Sequence, residues 1–209
     1  MPAHIDEEAI RHDHPVTLAV ELARAKATAV LERLADGESG AARAPALLAA
    51  DTVVAVAGEI LEKPTDRDHA RRMLALLSGR THQVVTGVAV AWLGDPDAAR
   101  PTGERVSGTV GGHAGPTGSA QEELIGMPSI LARSCETHVS FAALSEAEID
   151  SYLDSDEWHD VAGGYRVQGL AARYVTHLSG SYSNVVGLPL HLVYAILTGT
   201  RATGTGIHP

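Results

Sequence analysis

The sequence of 209 residues contains a single cysteine, Cys135. One thiol cannot form a disulfide within the chain or supply a thiolate zinc site, so the disulfide-rich secreted class is excluded. No apolar run approaches the roughly 20 residues that a membrane-spanning helix needs, and residues 1–13 lack the basic and then apolar profile of a signal peptide. We therefore expect a cytoplasmic protein without a membrane partner.

Cations are scarce, and lysine is almost missing. The chain has 16 lysines and arginines against 26 acidic residues, a formal net charge of −10, and its only lysines are Lys26 and Lys63. This balance argues against binding to nucleic acid or to an anionic membrane, because both depend on many phosphate contacts. A small phosphorylated ligand needs only a few local cations and stays compatible with it. Codon bias towards arginine is the alternative explanation of the rare lysines.

Several catalytic signatures are also missing. The sequence has no G-x-S-x-G nucleophile elbow, no Walker P-loop and no H-E-x-x-H zinc motif. What is present is a chain with 44% apolar residues and a mean hydropathy near zero, as in a globular protein. Its length suits one sizeable core, and we take residues 1–209 as a single domain.

Apolar periodicity and capping signals predict four helices. The first covers residues 15–34, and the second begins at an N-cap on Thr65, paired with Asp68, and ends near residue 78. A capping box of Ser145 and Glu148 begins the third, which continues to residue 153. Pro189 fits the first turn of the last helix, which runs to residue 197.

Strands are predicted between the helices, which indicates an α/β fold. They cover residues 46–56, 82–92, 137–143, 163–169 and 174–178. Residues 94–130 are predicted to be a flexible insertion, since much of this stretch is rich in Gly, Pro, Thr and Ser without an apolar period.

Asp51 is the sharpest local anomaly, because it lies with Thr52 inside the apolar run of residues 46–56. A carboxylate in a buried strand is costly unless it is paired, hydrogen-bonded or bound to a metal. One interpretation is a general base or a magnesium ligand at the mouth of a cleft. The other is a structural aspartate in a turn between two shorter strands, and the pattern alone favours neither.

The two lysines also have two interpretations each. Lys26 follows Leu18 and Leu22 at steps of four, so it either points into a site or snorkels along the edge of the apolar stripe. Lys63 precedes a helix N-terminus, where it is placed to help hold an anion, or it is an ordinary loop lysine. Glu7, between two further acids, is a metal ligand or part of a solvated charge run.

Taken in order, these segments resemble the Maf family of nucleoside-triphosphate pyrophosphatases, over about residues 5–92 and 136–198. The motifs are Ala-Asp-Thr-Val-Val at 50–54, Gly58, Lys-Pro at 63–64, Leu-Ser-Gly-Arg-Thr-His at 77–82, Ala-Gly-Gly-Tyr-Arg-Val-Gln-Gly at 162–169 and Gly-Ser-Tyr-Ser-Asn-Val-Val-Gly-Leu-Pro at 180–189.

The resemblance implies an elongated mixed sheet flanked by helices, with a central cleft, related to the inosine-triphosphate pyrophosphatases. It also implies hydrolysis of a nucleoside triphosphate with Mg²⁺ or Mn²⁺, and a homodimer. In that reading Asp51 is the general base and a metal ligand, and Glu7 assists the metal. Lys26 and Lys63 contact phosphates. Thr52 and Gln168 stand at the positions that mark the dTTP and UTP branch.

The chain also departs from the family pattern. The Ser-x-Ser-x-Arg-Arg phosphate loop that normally follows the family's first strand is not found, Glu62 replaces a glycine, and Val161 replaces a lysine. Two functions therefore stay open: a pyrimidine-selective pyrophosphatase, and a catalytically weak nucleotide-binding or regulatory protein with a link to cell division. Hydrolysis of modified nucleotides is a third option.

Overall fold

A computed structural model of the chain describes residues 3, 5–36, 46–93, 128–199 and 207–208. Its helices are α1 (Pro15–Ala35), α2 (Arg67–Leu77), α3 (Glu146–Leu153), α4 (Tyr182–Val186) and α5 (Leu190–Thr198), with 3-10 turns at Glu7–Ala9, Ala162–Gly164 and Leu170–Tyr174. Its strands are β1 (Ala46–Val56), β2 (Glu59–Leu61), β3 (Thr81–Trp92), β4 (Ile130–Phe141), β5 (Val175–Ser179) and β6 (Ile207–His208). Within these ranges no helix combines the length and the apolar character needed to cross a bilayer.

The strands form one sheet in the order β2-β1-β3-β4-β5, with β6 pairing to β4. The prediction of a sheet flanked by helices is confirmed. The expected mixed sheet is corrected, because every strand pair in the described part of the chain is antiparallel. Antiparallel neighbours can be joined by tight turns. The turn from β1 to β2 is one of these, with positive φ at both Ala57 and Gly58, as a type I′ hairpin requires.

Helix α1 lies across one face of β1 and β3. Leu18 and Leu22 pack there against Val53. The helix backbone approaches the sheet closely at Gly87, where a Cβ would lie only 2.1 Å from the carbonyl oxygen of Ala19. No side chain fits that gap, so glycine at this position sets how near α1 lies to β3, where Gly87 pairs with Asp51 of β1.

The largest core lies on the opposite face of the sheet, under α2 and α3. Both helices begin at side-chain caps, which contribute about 1 kcal/mol each. The predicted capping box of Ser145 and Glu148 is confirmed. The predicted cap at Thr65 is wrong: Asp66 is the N-cap of α2 and accepts the backbone N–H of His69 at 2.7 Å.

Three further features differ from the sequence prediction: the start of β4, the segment at 163–169 and the presence of β2. β4 begins at Ile130, so the strand expected from residue 137 is longer and the insertion expected at 94–130 ends earlier. Most of that insertion, residues 94–127, lies outside the described residues. The strand expected at 163–169 is wrong, because Gly163 and Gly164 have φ near +70° and close a 3-10 turn instead. The short strand β2 was not predicted.

Candidate active site

Asp51 and Thr52 lie at an open edge of the sheet. β2 pairs only with residues 54–56 of β1, so no described strand covers the edge of β1 before Val54. Neighbouring side chains on a strand point to opposite faces. Asp51 meets Lys26 of α1, whereas Thr52 meets Thr86 on the other face. A ligand seated over this edge can therefore contact both faces at once.

The Lys26 ammonium joins two carboxylates on the α1 face. It donates a hydrogen bond to Asp51 and lies 2.7 Å from Oε1 of Glu7. The side chains of Lys26 and Asp51 are only 19% and 12% exposed, whereas Glu7 is 38% exposed. Three of the residues singled out in the sequence therefore form one partly buried cluster, and Lys26 points into it rather than along the helix surface.

Burial and pairing act differently on these three groups. Burial raises the pKa of Asp51 above its ordinary value, and Lys26 offsets this only in part. Burial opposes the charge of Lys26, but its hydrogen bonds to Asp51 and Glu7 raise its pKa. Burial also opposes ionisation of Glu7, yet Lys26 and Lys63 together lower its pKa. Asp51 thus holds a proton more readily than an ordinary aspartate, which suits a general base.

Lys63 completes the charged group at its exposed side. Its Nζ lies 3.9 Å from Oε2 of Glu7 and 3.8 Å from Oδ1 of Asp160, and its side chain is 51% exposed. Contacts this long at an exposed position are weak, so Lys63 is able to turn towards another anion. Two lysines stand against three carboxylates here, those of Glu7, Asp51 and Asp160, which leaves a net charge of −1.

A cavity of about 190 Å³ opens beside the edge of β1. Asp51, Thr52, Lys63 and Asp160 supply its polar wall. Asp51 is therefore not sealed into the interior, because it shares an open space with Lys63. The apolar wall includes Val161, at the position where the Maf family usually has a lysine, together with Val54, Val84, Ala162, Tyr165 and Val185.

Thr52 belongs to a chain of hydrogen bonds on the face opposite Asp51. Its hydroxyl lies 2.9 Å from that of Thr86, which donates to the backbone carbonyl of Asn184 at 3.0 Å. Thr86 and Asn184 are fully buried. Neither is predicted from the sequence as a site residue, although both stand within segments that resemble the family. Nothing in the sequence showed that residues 98 positions apart would meet.

Gln168 is not part of this arrangement. It is exposed, it follows the buried Val167, and it does not line the cavity. The structure therefore brings together Glu7, Lys26, Asp51 and Lys63, and places Thr52 on the other side of the same edge.

The charged cluster fits a divalent cation only in part. Glu7 and Asp51 converge on one ammonium group, so their oxygens lie near a common point. No set of three or more His, Cys, Asp or Glu side chains in the described ranges is arranged to hold a metal. Mg²⁺ commonly binds to one or two carboxylates, keeps several waters and takes its other ligands from substrate phosphates. These residues fit that mode and not a cage made by protein alone.

Comparison with known proteins agrees with the motifs and the fold. The family model described as "Maf-like protein" matches residues 1–110 and 117–200. The chain belongs to the Maf family.

Three relatives from this family are each named dTTP/UTP pyrophosphatase. The protein from Chelativorans sp. (strain BNC1) is 41% identical over 198 residues, covering 94% of this chain and 78% of the relative. That from Brucella abortus (strain 2308) is 42% identical over 94% of this chain and 77% of the relative. That from Rhodopseudomonas palustris (strain BisB5) is 40% identical over 95% of this chain and 79% of the relative. The resemblance to the Maf family inferred from the motifs is confirmed.

Proposed function

We propose that this protein hydrolyses nucleoside triphosphates, with dTTP and UTP as its substrates, to the monophosphate and pyrophosphate. The observation that carries the proposal is Asp51, a carboxylate with raised pKa held by Lys26 and Glu7 in a cavity that Lys63 shares. The names of the relatives support the substrate class. We place the whole reaction in one domain spanning residues 1–209.

The reaction adds water across a phosphoanhydride bond, and positioning and charge compensation supply most of its catalysis. Asp51 accepts a proton from the attacking water as its oxygen bonds to phosphorus. Its raised pKa makes it a better acceptor than an ordinary aspartate. Lys63, whose contacts with Glu7 and Asp160 are weak, can turn to contact phosphate oxygens. Lys26 keeps Asp51 in place while adding positive charge.

The charge of the cluster supports a requirement for a divalent cation such as Mg²⁺ or Mn²⁺. A net charge of −1 does not attract a triphosphate by itself. A bound cation would offset phosphate charge and bring water close to the reacting bond. Glu7 and Asp51 are the residues that would hold it, and the remaining ligands would come from water and the substrate.

The other face of the edge is proposed to bind the base. Thr52 supplies a hydroxyl, and Val54, Val84 and Val185 supply apolar contacts suited to a flat ring. The role of Gln168 in base choice stays a prediction from the family resemblance, because this side chain is exposed and does not line the cavity. A homodimer and a cytoplasmic location likewise stay predictions.

The test is pyrophosphate release from dTTP, UTP, CTP and GTP, with Mg²⁺ or Mn²⁺ and with the metal chelated. We expect release from dTTP and UTP only when the metal is present. Asp51→Asn tests the carboxylate, and Asp150→Asn, on the surface of α3, is the matched control. No release from any nucleotide by the unaltered protein would refute the proposal.

A second candidate, a nucleotide-binding regulatory protein, is favoured by one observation. Lys26 is committed to two carboxylates, so the cluster offers little free positive charge for a triphosphate. This candidate predicts that nucleotides bind, as measured by calorimetry, without any pyrophosphate being released.

A further inference from the structure

The hydroxyl groups of Thr52 and Thr86 form a chain of hydrogen bonds, and its last acceptor determines which hydroxyl donates to which. The last acceptor is the carbonyl oxygen of Asn184, which carries no hydrogen. A hydrogen bond between it and Thr86 therefore uses the one proton of the Thr86 hydroxyl. The contact of 2.9 Å between the two threonines must then use the proton of Thr52.

The anchor of this chain is itself held firmly. The Asn184 side-chain amide donates to the carbonyl of Val84 at 2.9 Å and to the hydroxyl of Thr137 at 3.0 Å. These bonds tie α4 to β3 and β4, so the Asn184 carbonyl cannot easily turn away from Thr86. The same carbonyl also accepts the N–H of Gly187 at 2.9 Å, which fixes it from a second side.

The Thr52 hydroxyl, having given its proton to Thr86, has only lone pairs left for the cavity. A Cβ at Gly187 would lie 3.6 Å from this oxygen, in ordinary van der Waals contact, so glycine leaves more room beside it. We propose that Thr86 is a positioning residue that fixes the Thr52 hydroxyl as a hydrogen-bond acceptor towards the cavity. The site then selects a base that presents an N–H at this point, as the imide of uracil and thymine does.

This inference rests on the proposed function for the identity of the ligand, and it adds a reason for the choice of base. The imide nitrogen of uracil or thymine is a donor between two carbonyl oxygens. The ring nitrogen at the same place in cytosine is an acceptor, and two acceptors facing each other leave both without a partner. Binding sites built on such polar contacts reject the wrong partner strongly, because buried polar groups are then left unpaired.

The test measures binding of UMP and CMP by calorimetry without metal, so that it does not depend on hydrolysis. The unaltered protein is expected to prefer UMP. Thr86→Val removes the acceptor that takes the Thr52 proton, and this frees Thr52 to donate to cytosine. We expect the ratio of the two Kd values to move about tenfold towards CMP, the usual effect of one hydrogen bond. Thr86→Ser retains the hydroxyl and should retain the preference.

A double-mutant cycle separates positioning from general disruption. In a Thr52→Val background, Thr86→Val should cause no further change in the ratio, because the oxygen that it controls is gone. Thr86→Ala serves as a second variant if Thr86→Val is unstable, with circular dichroism to check folding.

Three results would overturn the inference. The first is that the unaltered protein binds UMP and CMP equally or binds neither. The second is that Thr86→Val weakens both nucleotides by the same factor, as a purely structural residue would. The third is that the ratio moves equally with and without the Thr52 hydroxyl. Preference for UMP without any release of pyrophosphate would instead refute the proposed function and leave this inference standing.

Discussion

Two of the clusters in which cations meet carboxylates within the described residues differ mainly in burial. In the site cluster, Lys26 joins Glu7 and Asp51 beside the cavity. In the second, here called the helix cluster, arginines of α2 meet acids on and just after α3. The arginines are Arg67 and Arg71, and the acids are Glu146, Asp150 and Asp154. Asp51 is 12% exposed, whereas the side chain of Asp150 is 48% exposed.

Burial decides what each cluster can do. In the site cluster it raises the pKa of Asp51, because Lys26 offsets the loss of water only in part. In the helix cluster the hydrogen bond to Asp150 raises the pKa of Arg71, which only strengthens a charge that arginine already keeps. Ion pairing alone is therefore no sign of a reactive group. A carboxylate that is paired and also deprived of water is a better candidate.

The sharpest way to test this contrast is Asp51→Asn. The variant keeps the shape of the side chain and loses the proton acceptor, so we expect kcat/KM for dTTP to fall by about a thousandfold, within the usual range for a general base. Folding should be unaffected, because Lys26 retains Glu7 and the desolvated charge is gone. Asp150→Asn should leave kcat/KM near its original value. If calorimetry showed that Asp51→Asn no longer binds the nucleotide, the loss of activity would reflect lost substrate binding and not lost proton transfer.

Lys26→Met is expected to have the next largest effect. It leaves two carboxylates close together without their cation, which should lower the free energy of unfolding by about 2–3 kcal/mol, less than for a fully buried pair because Glu7 is partly exposed. Urea denaturation measures this loss. Arg71→Met in the helix cluster is the matched control, and an equal loss there would contradict the role assigned to burial.

Lys26→Met should also change how the activity depends on pH. Because the pKa of Asp51 is raised in the folded state, activity that needs its ionised form falls as the pH drops through that raised value. Ionising Asp51 also costs stability as the pH rises from its ordinary pKa to the raised one. Without Lys26 the pKa should rise further, so the acid limb of kcat/KM should move to higher pH. Carboxyl NMR of the metal-free protein checks the direction independently.

The sequence is sufficient to predict those site residues that differ in polarity from their neighbours in the chain. Asp51 and Lys26 are each a charge in an apolar pattern, and the structure brings them together. The buried chain through Thr86 and Asn184 has no such contrast, since threonine is common in strands and asparagine in turns. The role of these residues in the site depends on contacts between segments that are distant in the sequence, which local patterns do not predict.

The errors in the fold prediction have similar physical causes. Thr65 and Asp66 are both good N-caps, so the pattern could not decide which one would begin α2. The part of β4 before residue 137 contains Arg133 and Glu136, which interrupt the apolar pattern typical of a buried strand. The segment at 163–169 looked like a strand, but the positive φ of Gly163 is incompatible with one.

His82 is a buried ionisable side chain on whose pKa no opposite charge acts within the described part of the chain. It is 2% exposed, its Nε2 lies 2.8 Å from the Tyr165 hydroxyl, and burial, aided by His138, lowers its pKa to about 4. The unfolded chain takes up this proton first, so stability is complete above the ordinary pKa of 6.5 and is lost as the pH falls towards 4. Between pH 7.5 and pH 5 the loss should be about 2 kcal/mol.

His82→Gln removes the ionisable group and keeps a polar contact for Tyr165. Urea denaturation at the two pH values should show a smaller loss of stability than in the unaltered protein. His177→Gln, at an exposed position of β5, is the matched control. If His82→Gln lost as much stability on acidification as the unaltered protein, another group would be responsible.

The smallest effect is expected from the pair of Arg71 and Asp150 in the helix cluster. Both side chains keep much of their contact with water, which screens the charges, and fixing two long side chains costs entropy. Arg71→Gln, Asp150→Asn and the double variant should therefore have almost the same urea midpoint and unchanged activity. Raising the salt concentration should reduce the small differences further. A coupling as large as that of Lys26 with Asp51, measured by the same cycle, would mean that burial does not separate the two clusters.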